Sequence, residues 1–378
     1  MPTVLFVMKY PLHRADNLKR KFDGQMAAMR RLGYETCCVG YDGREMLLLS
    51  ENACEPLLRT PLGRMPGYEH TLVFWDLMRA VRAALKRRKL DLLYLRFMPT
   101  FGNAPGALRA FKARGGRLIV EYPTYPMDEE KASTAARKLV FGYTDRVMAR
   151  INPLVDLYTL IGDACDGSLN GRPAMNIVNG VDVQALPLHQ PNANEPSIHL
   201  LALASMSGWH GYDRVIRALA EDKSGADVRL HMVGGDGDGS LARWRALADE
   251  LALGDKVIFH GAMHGDALNA LIARCDVGIG SLGMYRYGYQ TATTLKLREY
   301  MARGLPFVTA VYDPTLPDDP DFALHVPNDD TPIDMAEIVR FARKVKAETD
   351  LPERMRACAN QRMSWDGVLR GVLERLDA

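Results

Sequence analysis

Residues 293–308 read TTLKLREYMARGLPFV, with apolar spacing that predicts a short helix running into a buried strand. Lys296, Arg298 and Glu299 fall in its first two turns. A helix start already carries partial positive charge, so a cation there costs about 0.3–1 kcal/mol unless an anion lies against it. Thr293 or Thr294 can cap the helix, which leaves Thr294, Leu295 and Lys296 at its open end. Glu299 shares a row with Leu295 and Ala302, so its carboxylate runs along a partly apolar face and needs hydrogen-bond donors. Paired sugar hydroxyls would serve as donors, and so would Arg303 at i+4. The chemistry suggested is capture of a phosphate by Lys296 and of hydroxyls by Glu299.

Four further stretches carry reactive groups. SLGMYRYGYQTATT (281–294) reads as a long loop at a strand's carboxyl end and contains Arg286. SMSGWHGYDRVIRAL (205–219) sets Ser205, Ser207, Gly208 and His210 before a helix, either as an anion site with His210 as a positive donor or as a turn packing Trp209. VGGDGDG (233–239) follows a strand, and Gly234 would let backbone amides approach a phosphate or base. Asp236 and Asp238 are either a metal-holding DxD or an Asp-Gly turn. IVEYPTYPMDEE (119–130) puts Glu121 and Tyr122 at a strand end, lining a cleft or stiffening a connector. No Ser-His-Asp, HExxH or Walker A pattern is present.

The elements that must position these groups alternate as β and α throughout, the rhythm of a parallel sheet covered on both faces. Residues 182–196 break the rhythm with three prolines and read as a linker. The expected fold is α/β, with two Rossmann-like domains facing a cleft. Residues 1–185 form the first domain, 186–363 the second, and 364–378 a helix crossing the junction. Length suits two to three domains, and a net charge of +2 indicates neither a general nucleic-acid binder nor an acidic tail. The charge is uneven: RAVRAALKRRKLDLLYLR (79–96) is basic, either a solvated face or a surface for an anionic partner. Six cysteines without CxxC spacing read as reduced thiols, and no apolar run is long enough for a signal peptide or a membrane span. A cytoplasmic location follows.

NGVD (179–182), WHGYDRVI (209–216), the SLG and YR of 281–286, and LKLREYMARGLPFV (295–308) together resemble retaining glycosyltransferases of the GT-B fold, family 4-like. The closest likeness is to a branch found in bacterial capsular and surface polysaccharide assembly, which EYPTYPMDEE (121–130) also resembles. The resemblance implies a retaining hexosyltransferase taking a nucleotide diphosphate sugar, with a glycan or polyprenyl-diphosphate-linked acceptor. It implies no separate cofactor and no metal. Ser207, Gly208, His210, Gly234, Arg286, Thr294, Leu295, Lys296 and Glu299 would bind donor; Lys9, His13, Arg14 and Arg96 would face acceptor. Arg286 would stabilise the departing diphosphate, and Glu121 or Tyr122 would assist the acceptor. Glu299 matches the second Glu of the family's Glu-x7-Glu motif, whereas the first falls on Thr291. Ser205 and His210 stand where the family keeps a diphosphate-binding Arg and Lys. The basic 79–96 face suggests peripheral contact with the inner side of a membrane. A nucleotide-sugar epimerase and a non-catalytic GT-B sugar-nucleotide module are the competing readings.

Overall fold

A computed structural model describes residues 1–12, 17–65, 67–68, 72–98, 102–126, 135–162, 165–191 and 194–378. The chain divides into two compact units, one of residues 1–178 with 365–378 and one of residues 179–364.

Unit 1 begins β1 (Thr3–Pro11), α1 (Asn17–Arg31), β2 (Glu35–Tyr41), β3 (Glu45–Ser50), β4 (Cys54–Arg59), α2 (Leu72–Arg87) and β5 (Leu92–Arg96). It continues α3 (Ala104–Lys112), β6 (Arg117–Tyr125), α4 (Ala135–Ile151), β7 (Leu157–Gly162), β8 (Ser168–Leu169) and β9 (Arg172–Asn176). Its strands lie in the order β4-β3-β2-β1-β5-β6-β7-β9-β8. The centre is parallel, but β3 and β4 form an antiparallel meander on β2, and β8 pairs antiparallel with β9. That meander was not legible in the sequence, where residues 42–60 lack clear alternation.

Unit 2 runs β10 (Ile198–Leu203), α5 (Tyr212–Ala220), β11 (Val228–Val233), α6 (Ser240–Glu250), β12 (Val257–Gly261), α7 (Gly265–Ile272) and β13 (Val277–Ile279). It ends α8 (Leu295–Arg303), β14 (Phe307–Thr309), β15 (Ala323–His325), α9 (Met335–Lys346) and α10 (Leu351–Met363). Its sheet is parallel, in the order β12-β11-β10-β13-β14-β15. β10 is buried at every position, which is why IHLLAL reads as a continuous apolar run and not as an alternation.

The last helix, α11 (Trp365–Asp377), belongs to unit 1. Trp365, Leu369, Val372 and Leu376 bury one stripe of it in the core that also holds Phe22 and Met29 of α1, and Arg31 forks onto Asp366. α2, α3 and α4 cover the opposite face of the sheet.

In unit 2 the lacing is ionic. Arg298 of α8 makes a bidentate pair with Asp313 at 2.7 and 3.1 Å, and its Nε donates to the Asn179 carbonyl at 2.9 Å. Both side chains are essentially inaccessible. Arg298→Met would strand the Asp313 carboxylate, and a loss on the order of 3–5 kcal/mol is expected in urea unfolding. Arg298→Met with Asp313→Leu should recover much of it.

Candidate functional site

The strand order of unit 2 reverses between β10 and β13, and ligands of open α/β sheets sit outside the carboxyl ends of strands at such a point. Residues 204–211 leave β10 there and lead into α5; residues 280–294 leave β13 and lead into α8. The two loops are tied by amide-to-carbonyl bonds from Leu282 to His210 at 2.9 Å and from Gly283 to Trp209 at 3.2 Å. Gly211 has φ 62°, and a Cβ there would strike the backbone of Leu282 and Gly283. Only glycine allows that approach.

Lys296 sits at the centre of this region. Its ammonium donates to the Tyr212 hydroxyl at 2.8 Å, and the residue is 9% exposed. No carboxylate faces it among the described residues, and burial pushes its pKa well below the ordinary lysine range. Thr294 takes the N-cap position in extended conformation, but its hydroxyl is buried without a partner. The hydroxyl of Ser281, on the loop leading to the helix, is also buried without one. The first amides of a helix have no intrahelical acceptor, and here no cap side chain supplies one. An ammonium without a counter-ion among the described residues, the idle Thr294 hydroxyl and an open helix start, all within one turn, describe an anion cradle.

The neighbouring charges are already satisfied. Glu299 accepts from Arg303 Nε and Nη2 at 3.0 and 2.9 Å, and Arg303 also reaches Asn269. The carboxylate thus has an intrahelical donor without a sugar. Arg286 lies in a short 3₁₀ turn, not an open loop, and forks onto Asp213 of α5 at 2.9 and 2.8 Å while its Nε meets the Tyr285 hydroxyl. Thr291 is exposed and bridges to Tyr312.

The β10 loop departs from its expected role. Ser207 N–H points at His210 Nδ1 (3.2 Å) and Trp209 Nε1 at its Nε2 (3.0 Å), and a neutral ring accepts at one of the two. A protonated ring would set donors against donors. Burial and the nearby Lys296 push its pKa down to about 2, so His210 is neutral and supplies no positive charge. The Gly208 amide goes to Asp238, and the Gly234 amide to the Gly261 carbonyl. With these amides engaged, the open donors lie at α8 instead. Ser205 is exposed on the same loop. Asp236 and Asp238 accept from the amides of Gly239 and Ser240 at the start of α6, the turn reading of the DxD. Among the described residues no group of three His, Cys, Asp or Glu side chains is placed to hold a metal.

In unit 1, Glu121 is wholly buried on β6 and accepts from Lys21 (2.8 Å), Gln25 (2.8 Å) and Tyr94 (2.7 Å). Burial works to raise its pKa, but Lys21, Arg96 and Tyr94 hold it below the usual carboxylate range. It braces β6 against α1 and is not placed to meet an acceptor. Tyr122 stacks on Phe97 at 4.3 Å, and burial raises its pKa, so its phenol stays neutral. Lys9 is on β1, and the Arg96 guanidinium lies over the Phe22 ring. His13 and Arg14, as well as residues 127–130 of the EYPTYPMDEE stretch, fall outside the described residues. Tyr212, Asp213 and Ser281 are the site residues that sequence reading passed over. The first two follow directly on WHG, and their signal was masked as ordinary first-turn helix residues.

Residues 197–342 match the family model described as glycosyl transferases group 1. The matched stretch lies within unit 2. It contains both loops and all of α8. No curated protein matches the chain. Among solved structures, a sucrose-phosphate synthase from Thermosynechococcus elongatus is similar at TM-score 0.65 and 15% identity, covering 99% of this chain and 98% of that one. The catalytic domain of starch synthase IV from Arabidopsis thaliana, bound to ADP and acarbose, gives 0.63 and 12%, covering 100% and 98%. Anabaena HepE in complex with UDP-glucose gives 0.60 and 16%, covering 99% of each chain. At such identities the likeness establishes the fold: two parallel-sheet α/β domains, as in GT-B glycosyltransferases.

The Glu299–Arg303 pair has a direct test. Glu299→Gln should lower stability by on the order of 3 kcal/mol in chemical unfolding, because Arg303 is left buried and charged. Adding Arg303→Met should restore part of the loss, whereas an unchanged midpoint for Glu299→Gln would contradict the pairing.

Proposed function

We propose that the protein transfers a sugar from a nucleotide diphosphate sugar, with retention, to a glycan or polyprenyl-diphosphate-linked acceptor in surface polysaccharide synthesis. The observation that carries this reading is Lys296, an ammonium buried at a helix start with no counter-ion among the described residues. A donor diphosphate would supply the missing charge and fill the open amides of α8. As the glycosidic bond breaks, negative charge grows on the leaving phosphate, and fixed donors in a dry site stabilise it by several kcal/mol. Arg286, held rigid by Asp213, is the second cation of the same loop. Glu299 stands one turn on from Lys296, where ribose hydroxyls would lie, and would share itself between them and Arg303. Attack on the same face of the sugar needs no protein nucleophile, and none is assigned. The HepE structures hold UDP and UDP-glucose and the starch synthase ADP, so UDP- and ADP-sugars are the first donors to try.

Two predictions follow from a lysine that is desolvated until donor arrives. In the free protein its depressed pKa means the unfolded chain binds more protons, so stability rises with pH up to about 10.4. Lys296→Met removes the buried charge. It should raise the melting temperature of the unliganded protein by a few degrees while abolishing stabilisation by UDP or ADP. A variant that melts lower and still responds to nucleotide would overturn the assignment. A bound diphosphate favours the ammonium form of Lys296, so nucleotide affinity should fall as pH rises through the alkaline range, where calorimetry in two buffers should see proton uptake on binding.

Turnover distinguishes the remaining readings. A transferase releases nucleoside diphosphate only when acceptor is present, an epimerase interconverts donor without release, and a binding module does neither.

A further inference from the structure

Unit 1 presents a surface that donor chemistry does not use. α2, α3 and α4 lie over one face of its sheet and bury Val73, Leu77, Leu108 and Val147 beneath them. On the outside of α2, Leu72, Trp75, Arg79, Arg82 and Lys86 follow at steps of three and four, and all are exposed. The exposed stripe of α4 is Leu139, Tyr143, Arg146 and Arg150, with Val140 beside it. Apolar residues thus lead and cations follow on both helices. α2 and α4 each precede a strand of the parallel centre, β5 and β7, so they run in the same direction. Their apolar ends meet at the start of α3: Asn103 Nδ2 donates to the Trp75 carbonyl at 2.8 Å, and a Cβ on Gly102 would lie 3.1 Å from the Tyr143 hydroxyl. Leu139 is 77% exposed, the highest value among the large apolar side chains described apart from Met1. Across the three helices, Asp145 is the one exposed acid among the described residues.

This zoning differs from the basic run seen in the sequence. Arg79 pairs with Asp76, Arg88 with Glu35 and Glu55, and Lys89 with Asp91, while Arg96 packs on Phe22, so these four do not count toward the field. What remains is a cationic field bordered on one side by aliphatic and aromatic side chains.

We infer that the outer face of α2–α4 docks on an anionic phospholipid bilayer, with Leu139, Val140, Trp75 and Tyr143 entering the interface and Arg82, Lys86, Arg146 and Arg150 against headgroup phosphates. Aromatic rings favour the headgroup level, and each basic residue near an anionic surface adds attraction that salt screens. A second copy of the chain is a poorer occupant, because a two-fold contact brings the cationic field against itself. A nucleic acid would engage the cations and leave Leu139 and Val140 in water. The inference is independent of the transferase reading and is tested without turnover.

The test is co-sedimentation of the full chain with vesicles of phosphatidylcholine alone and of phosphatidylcholine with phosphatidylglycerol. The protein should bind only the mixed vesicles and come off at molar salt. Arg82→Gln/Arg146→Gln/Arg150→Gln should weaken binding by on the order of a hundredfold. Trp75→Ser/Leu139→Ser should weaken it by about tenfold and leave the salt dependence unchanged. These positions are exposed, so melting temperatures should hold. Equal binding to neutral vesicles, or binding that neither variant reduces, would overturn the inference. So would a dimer in sedimentation velocity that Trp75→Ser/Leu139→Ser dissolves, or displacement of protein from vesicles by a short DNA duplex.

Discussion

Helix α8 is buried on every side of its last eight residues, yet Lys296, Arg298, Glu299 and Arg303 all lie within it. A charge taken out of water is tolerated only when paired and hydrogen-bonded, and this constraint organises unit 2. Arg298 satisfies it through Asp313 and Asn179, which fixes α8 to the segments at both ends of the unit's sequence before and after it. Glu299 and Arg303 satisfy it within the helix, and Tyr300 hydrogen-bonds the edge of β10 through Leu201 and Leu203. Once those pairs are made, a single cation is left over. The excess charge stands at the helix start, where both the dipole and the open amides already favour an anion.

The surroundings of Lys296 keep that excess from being neutralised internally. Tyr212 gives it a hydrogen bond without giving it a negative charge, since burial holds the phenol protonated. His210, stacked on Tyr212, is kept neutral by burial and by Lys296 itself. Asp213 lies next in sequence to Tyr212 but is committed to Arg286. The acids of the region are therefore spent on other cations. The protein holds a desolvated charge in place at a cost to its own stability, which is the usual mark of a preorganised electrostatic site.

Unit 1 solves the same problem in a closed form. Glu121 and Lys21 are both buried, but Gln25 and Tyr94 complete the donors, and Trp365 of the returning chain lies under the Lys21 ammonium. Lys21 and Glu121 balance in charge, so the network reads as a brace joining α1, β5, β6 and α11. The contrast between a balanced buried network and an unbalanced one separates scaffold from site more sharply than burial does, since both are equally hidden.

Much was legible from residue types and spacing alone. The apolar β-runs and amphipathic helices set two α/β domains, because buried parallel strands and crossover helices leave distinct periods in the sequence. The misplaced cations of 293–308 marked the site, because helix dipoles act locally and can be read from order along the chain. The tertiary structure decided which of those charges are free. Arg298 meets Asp313 fifteen positions later, Arg286 meets Asp213 seventy-three positions earlier, and Glu121 meets Lys21 a hundred positions earlier. Pairing at such separations depends on strand order and loop packing, which no local pattern encodes. The sequence thus determined where charge is concentrated, and the fold alone determined that Lys296 is the α8 cation without a counter-ion among the described residues.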